Sequence, residues 1–397
     1  MVVLLLAGCR GDEADPTMTP AQPTATPSPV MTPTLAVTPT PTVSAAMSAL
    51  LAPGPTMPNI EQFFFLNGGD LWQAQSNGRV VHVTRGLTLG PWAMLPDGTR
   101  AIAVVYGEAD GNRTEAIRIV RGDGILSVPL YGPAPTSGVD AAAPVIALDW
   151  SWDQTKLAVA FADGSVGILQ VPEDEGQYPV AVERVVPAGS ASASLAVRWS
   201  PGGNGIASIP AAGDQRRLVV VPLGAAPQDV VGDVAVQAFA WLPGRGRLAF
   251  VQQAVGGGRE APGSIFTVAA DGTSRELLLS AGQFAPAASV MSLQPSPDGR
   301  SLAFTVYTPG GDGELEFQSL WTLAIDGGDL TRIPVATGYR VTEVWWTAQG
   351  LTWRAVGLGA PAGDDPTVYT GDGAFILQRY DEAAKTSASI FSAAPPR

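Results

Sequence analysis

One cysteine and one histidine occur in 397 residues, and only 15% of the side chains are charged. A single thiol excludes an internal disulfide, and the absence of any Cys-x-x-Cys pair removes the common zinc and thioredoxin-type sites. With His82 as the lone imidazole, most catalytic triads, zinc enzymes and cysteine enzymes are excluded too. Cations are scarce, 23 Lys and Arg against 36 Asp and Glu, for a net charge of −13. A phosphate-binding surface needs clustered Lys and Arg, so nucleic acid is not an expected partner. Gly and Pro, by contrast, number 46 and 35, which suits many short strands joined by tight turns rather than helices.

The amino terminus is the one strongly apolar stretch, Val2-Val3-Leu4-Leu5-Leu6-Ala7-Gly8-Cys9, and it is too short to span a bilayer. It reads as the end of a signal peptide, residues 1–8, whose start lies upstream. Leu6-Ala7-Gly8-Cys9 resembles the bacterial lipobox, which implies that Cys9 receives a diacylglyceryl group on sulfur and becomes the new N-terminus. Two acyl chains anchor a protein to a bilayer far better than one, since each buried CH₂ contributes roughly 0.8 kcal/mol. From Ala14 to Pro58 there are 11 Pro and 10 Thr and no aromatic, Lys or Arg. Such composition predicts a disordered linker over residues 9–58, extended enough to hold a folded part up to roughly 140 Å from the anchor.

Beyond the linker one pattern recurs: an apolar strand, a Trp-Ser-Pro-Asp-Gly-like turn, a second apolar strand, and a third ending in Asp-Gly. The cleanest turn is Pro295-Ser296-Pro297-Asp298-Gly299. Its relatives begin at Met94, Trp150, Trp199, Trp241 and Trp346, giving steps of 56, 49, 42, 54 and 51 residues. Periods of this size signal a radial or stacked array. The unit from Val145 shows four strands, at 146–150, 156–161, 165–171 and 180–185, the second apolar at nearly every position as in a sheet covered on both faces. The Trp that starts four of the six turns is expected to wedge between neighbouring units. Phe63-Phe64-Phe65-Leu66, Asp70-Leu71-Trp72 and Val80-Val81-His82 match strands two, three and four of a further unit that lacks strand one. The expected fold is an all-β propeller of four-stranded antiparallel blades over residues 59–397, with seven blades and six as the alternative. Ring closure would need 44–52 or 387–391 to supply the absent strand, because an unpaired edge invites aggregation.

Residues 63–391 resemble the TolB-like family of bacterial propellers, relatives of WD-type repeats, through the Trp-Ser-Pro-Asp-Gly turn, its following apolar strand and the Asp-Gly turn. Together with the lipobox the chain also resembles LpqB-type lipoproteins. The resemblance implies a binding or scaffolding module of the cell envelope and carries no active site across, because the matching residues are structural.

Chemistry is thin in the sequence. His82, between Val81 and Val83 on an outer strand, lacks a positioned nucleophile and reads as a packed or solvent-facing side chain. Carboxylate pairs such as Glu314 and Glu316 leave a hydrolase or lyase open as the alternative. No cofactor or metal is expected. The loops between strands two and three are long at 107–115, 254–263, 308–318 and 357–373, and insertions on one face of an array often mark its binding face. They carry Asp110, Glu115, Glu260, Asp312, Glu314, Glu316, Asp364, Asp365 and Asp372, an acidic rim suited to a basic partner or a divalent cation. The expectation is a non-catalytic lipoprotein on the extracytoplasmic face of the cell membrane, binding an envelope or surface protein or a glycan.

Overall fold

The recurring turns fold as their chemistry dictates. In the sixth unit Ser296 Oγ donates to Asp298 Oδ1 at 2.6 Å and accepts the Ser301 N–H at 2.9 Å, while Asp298 also accepts the Arg300 N–H at 3.0 Å. The same lattice joins Ser151, Asp153, Thr155 and Lys156 in the third unit. Burial pushes Asp298 upward, but these hydrogen bonds outweigh it and hold its carboxyl below the usual range. Gly299 closes the turn at φ 66° and lies against the Pro243 carbonyl of the preceding unit, so a side chain there would meet both backbone strain and a clash.

The computed structural model describes residues 44–393 except 76, 110–111, 133–142, 175–176, 178–179, 188–193, 213–214, 254–261, 285–287, 309–316 and 358–373. Seven antiparallel sheets follow one another in the chain. Blade 1 holds strands Gln62–Asn67, Asp70–Gln75 and Val80–His82, and blade 2 holds Thr88–Met94, Arg100–Ala109 and Asn112–Arg121. Blade 3 is Val145–Trp150, Lys156–Phe161, Val166–Gln170 and Val182–Val186; blade 4 is Ser194–Trp199, Gly205–Ala212, Leu218–Pro222 and Gln228–Val231, with Gln215–Arg216 beside its second strand. Blade 5 comprises Ala235–Leu242, Arg247–Gln253, Gly263–Ala269 and Glu276–Leu279, and blade 6 Ser289–Pro295, Ser301–Thr308, Phe317–Ala324 and Leu330–Ile333. Blade 7 is Tyr339–Thr347, Gly350–Gly357, Phe375–Asp381 and Thr386–Ala393. The protein is a seven-bladed β-propeller, and the six-blade alternative is set aside.

Adjacent blades share apolar cores, and the turn tryptophans stitch them. Trp241 Nε1 donates to the Arg198 carbonyl of blade 4 at 3.2 Å, and Trp346 Nε1 to the Gln294 carbonyl of blade 6 at 3.1 Å. Trp150, Trp199 and Trp241 are each less than 5% exposed. The second strand of each blade is sealed on both sides, as at Leu157 to Phe161, where every residue is buried. Blade 2 has an irregular fourth segment: Ser127 N–H donates to the Ile119 carbonyl at 3.0 Å, and Leu130 N–H to that of Ile117 at 2.8 Å.

Neither expected closing strand closes the ring. Residues 44–52 contain a helix, Ala45–Leu51, capped by Ser44, whose Oγ accepts the Met47 N–H at 3.2 Å. This stretch lacks the prolines that crowd the preceding residues, and Met47 and Leu50, three apart on one helix face, are buried among blades 4 and 5. The folded part therefore extends into what composition marked as linker. The other candidate, 387–391, lies within Thr386–Ala393 and is the fourth strand of blade 7 itself. Blade 1 thus has no strand inside Gln62–Asn67 among the described residues. Gly98, in the blade 2 turn, packs against the Gln62 carbonyl at the start of that strand.

Side chains close the ring instead. Phe63 stacks on Trp345 of blade 7 with centroids 4.3 Å apart, and Phe65 meets Phe375 edge-on at 5.2 Å. Arg354 of blade 7, only 8% exposed, donates to Asn67 Oδ1 of blade 1 at 2.6 Å and to Thr342 Oγ1 at 3.0 Å, and lies 3.4 Å from Glu343 Oε2. Its guanidinium also sits over the Phe65 and Phe375 rings at 5.6 and 5.4 Å. Removing one partner of a buried ion pair strands the other, so Arg354→Leu is expected to cost about 3–5 kcal/mol in denaturant unfolding, and an unchanged midpoint would refute this closure. Gly299→Ala is expected to cost about 1–3 kcal/mol by the same measurement.

Candidate functional site

The inner strands of blades 2 to 7 converge on the axis and, with Met57, Pro58 and Ile60, line a cavity of about 560 Å³. That size falls within the roughly 300–1,000 Å³ of small-ligand pockets. Seven of the ten tryptophans line it, at 92, 150, 152, 199, 241, 345 and 346. Trp92, Trp152 and Trp346 are partly exposed, while Met291 and Arg198 are open to solvent. Every residue immediately before a turn register mark contributes to the wall: Ala93, Asp149, Arg198, Ala240, Gln294 and Trp345. Successive residues of the inner strands line the cavity, the register marks themselves included, so the wall is built from whole strand edges and one register place recurs around it.

Two carboxylates belong to this wall. Asp149 Oδ2 accepts the Trp199 N–H of blade 4 at 2.7 Å, and its Oδ1 lies 3.9 Å from Arg198 Nη1. Burial pushes the acid up to about 6 against the pull of Arg198 and these N–H bonds. Glu343 accepts the Leu66 N–H of blade 1 and pairs with Arg354, yet burial raises it to about 7. Desolvation also lowers the Arg354 guanidinium. Each acid thus bridges two blades through a backbone amide while one side meets the cavity. Chemically the wall offers flat aromatic faces, two acids able to carry a proton near neutrality, and one exposed guanidinium.

No protein-family model matches the chain, and no curated protein matches it in sequence. Among solved structures, one from a study of two prolyl endopeptidases is 11% identical over 90% of this chain and 53% of that one, with a TM-score of 0.55. This chain therefore spans about half the length of that enzyme, and the likeness is one of fold. Hydrazine synthase of Kuenenia stuttgartiensis is 15% identical over 77% of this chain and 80% of that one, with a TM-score of 0.49. TolB from Acinetobacter baumannii is 15% identical over 69% and 63%, with a TM-score of 0.45.

Of the acidic rim, Asp110, Glu260, Asp312, Glu314, Glu316, Asp364, Asp365 and Asp372 lie outside the described residues, as does Cys9. Glu115 is described, and it is not on a loop. The strands Arg100–Ala109 and Asn112–Arg121 stay paired as far as Ala109 opposite Asn112, so most of 107–115 is hairpin, and Glu115 Oε2 accepts the Val145 N–H of blade 3 at 3.2 Å. His82 stacks parallel on Trp72 at 4.2 Å, with Nε2 2.9 Å from Asp70 Oδ2, away from the axis. The sequence did not single out Asp149, Arg198 or Glu343. The available signal was a charged residue one place before the register marks Trp150 and Trp199 and three places before Trp346.

The raised acids set a pH dependence. Both hold their protons more tightly folded than unfolded, where about 3.8 and 4.5 apply, so their stabilising contribution is complete below those values and lost as pH rises through about 6 and about 7. Thermal unfolding from pH 4 to 8 is expected to show the natural chain losing Tm relative to Asp149→Asn and Glu343→Gln as pH increases. A constant offset at every pH would remove the effect.

Proposed function

We propose that this chain is a non-catalytic lipoprotein of the extracytoplasmic membrane face, anchored through a diacylglyceryl group on Cys9, whose propeller binds an envelope or surface protein or a glycan. The observation that carries the binding function is the tryptophan-lined axial cavity, because large rigid aromatic faces with a few placed polar groups are what ligand sites present. The lipobox resemblance and the Pro/Thr-rich stretch support the anchoring, which is also what an LpqB-type relationship would entail. The acidic residues at 110, 260, 312, 314, 316, 364, 365 and 372 add a preference for a basic partner.

A hydrolase or lyase acting on exported sugars is the second reading, favoured by two acids of raised pKa in one cavity. Against it stands the engagement of each acid by a neighbouring blade's N–H, a structural duty that a general acid or base would have to abandon.

The full chain probed against envelope proteins and a glycan array at two salt concentrations separates these. Trp152→Ala combined with Met291→Ala is expected to weaken the captured partner at least tenfold, and higher salt to weaken it further. Undiminished binding by the double variant would move the site off the axis. Turnover of exported substrates, abolished by Asp149→Asn, would replace the binding function with the enzyme.

A further inference from the structure

Among the described residues six blades present a strand to the axis and the first does not; we infer that the unpaired inner edge of Gln62–Asn67 accepts an extended segment of a partner protein, which docks as the missing strand of blade 1. This rests on the binding function proposed above and narrows its partner to a peptide.

The register exposes the edge. Leu66 stands opposite Leu71 and Gln62 opposite Gln75. Leu71 N–H bonds Thr84 Oγ1 and its carbonyl accepts from Val83, while Gln75 N–H bonds the Arg79 carbonyl, so both residues direct their backbone groups toward the third strand of the blade. In an antiparallel ladder the residues opposite such positions point theirs the other way. Phe64 and Leu66 therefore aim N–H and C=O groups at the place where strand one would lie; Gln62 points the same way, but its carbonyl is already covered by Gly98 of blade 2.

Stand-ins occupy that ladder. Phe64 N–H donates to Met94 Sδ at 3.2 Å, and Leu66 N–H to the Glu343 carboxylate. A thioether is a weak acceptor on a flexible side chain, easily displaced by a carbonyl. Met94 and Glu343 come from the two flanking blades, and both also line the axial cavity together with Trp92, Val344 and Trp345. Swinging them aside joins the edge to space already present.

The occupant's chemistry follows from the edge. Alternating donors and acceptors along a strand are matched by another backbone rather than by a sugar ring, with side-chain pockets adding selectivity. The chain's own candidates at 44–52 and 387–391 are committed elsewhere. A proline-free run of about five or six residues, antiparallel to Gln62–Asn67 and apolar toward Trp345, satisfies the backbone groups of Phe64 and Leu66.

The probe is a labelled peptide copying the blade 3 inner strand, Val-Ile-Ala-Leu-Asp-Trp, titrated against the full chain by fluorescence anisotropy, with hydrogen exchange read at residues 62–67. Saturable binding is expected, with slower exchange at Phe64 and Leu66. A peptide with Pro in place of both Ala147 and Leu148 is expected to bind at least tenfold more weakly, since it loses a ladder donor in either register. Met94→Ala, which removes a stand-in, is expected to tighten the probe at least threefold. Absence of saturable binding, equal binding of the proline peptide, or unprotected amides would overturn the inference. Binding that appears only in Val37→Pro, which breaks the run from Thr34 to Thr38 between two prolines, would also overturn it, assigning the edge to the chain itself. If the probe fails while Trp152→Ala with Met291→Ala still weakens the captured partner, this inference falls and the general binding function stands.

Discussion

A ring of twisted sheets holds together only if its last seam is as well made as the others, and here that seam must be made without a shared strand. Between blades 7 and 1 the work falls to side chains: the Phe63–Trp345 stack, the Phe65–Phe375 contact, and Arg354 reaching from Glu343 to Asn67. Apolar burial supplies the non-directional part at roughly 25 cal/mol per Å². Arg354 supplies the directional part: its two Nη groups reach Thr342, Glu343 and Asn67, which keeps a buried guanidinium paired with a counter-charge. The seam also explains why an acid sits on the axis. Glu343 is there because Leu66 has no neighbouring strand to bond and Arg354 needs a partner, and the resulting burial raises its pKa.

The repeat was legible because its turn chemistry is local. Ser and Asp at fixed offsets make the same bonds in Ser151 to Lys156 and in Ser296 to Ser301, with Gln154 taking the positive φ that Gly299 takes in the other. Alternation and β-branching then place the strands of blade 3 within a residue or two of their observed ends. What failed was inference across longer distances. Averaged over Ala14 to Pro58, the prolines hid the short helix Ala45–Leu51, whose stability comes from docking Met47 and Leu50 on blades 4 and 5 rather than from propensity. Likewise Gly107 and the polar residues after it resembled a loop, yet the hairpin continues because its strands pair beyond the blade.

The site was hidden for a different reason. Asp149, Arg198 and Gln294 each stand one residue before a turn, and along the chain each is one polar interruption in an apolar strand. Only closure of the ring turns six equivalent places into a single wall. Acids on long insertions drew attention because exposed loops so often carry function. Glu115 shows the weakness of that rule: it bonds the first amide of the neighbouring blade's inner strand and serves the architecture.

The same bonds bear on what the axis can do. Proton transfer needs an acid free to reorient toward a substrate, and Asp149 and Glu343 are each fixed by an N–H from the next blade. Loss of either bond would leave a buried amide unsatisfied, at about 1–3 kcal/mol, before any chemistry began. Aromatic faces carry no such penalty. Trp92, Trp152 and Trp346 already present part of their surface to the cavity and need not rearrange to meet a ligand. Glu343 is the partial exception, because a backbone carbonyl arriving beside Leu66 would relieve it of its amide while Arg354 kept its charge paired. This difference favours the proposed binding function over turnover, and the replaceable bonds, at Phe64 and Leu66, lie where the first blade is a strand short among the described residues.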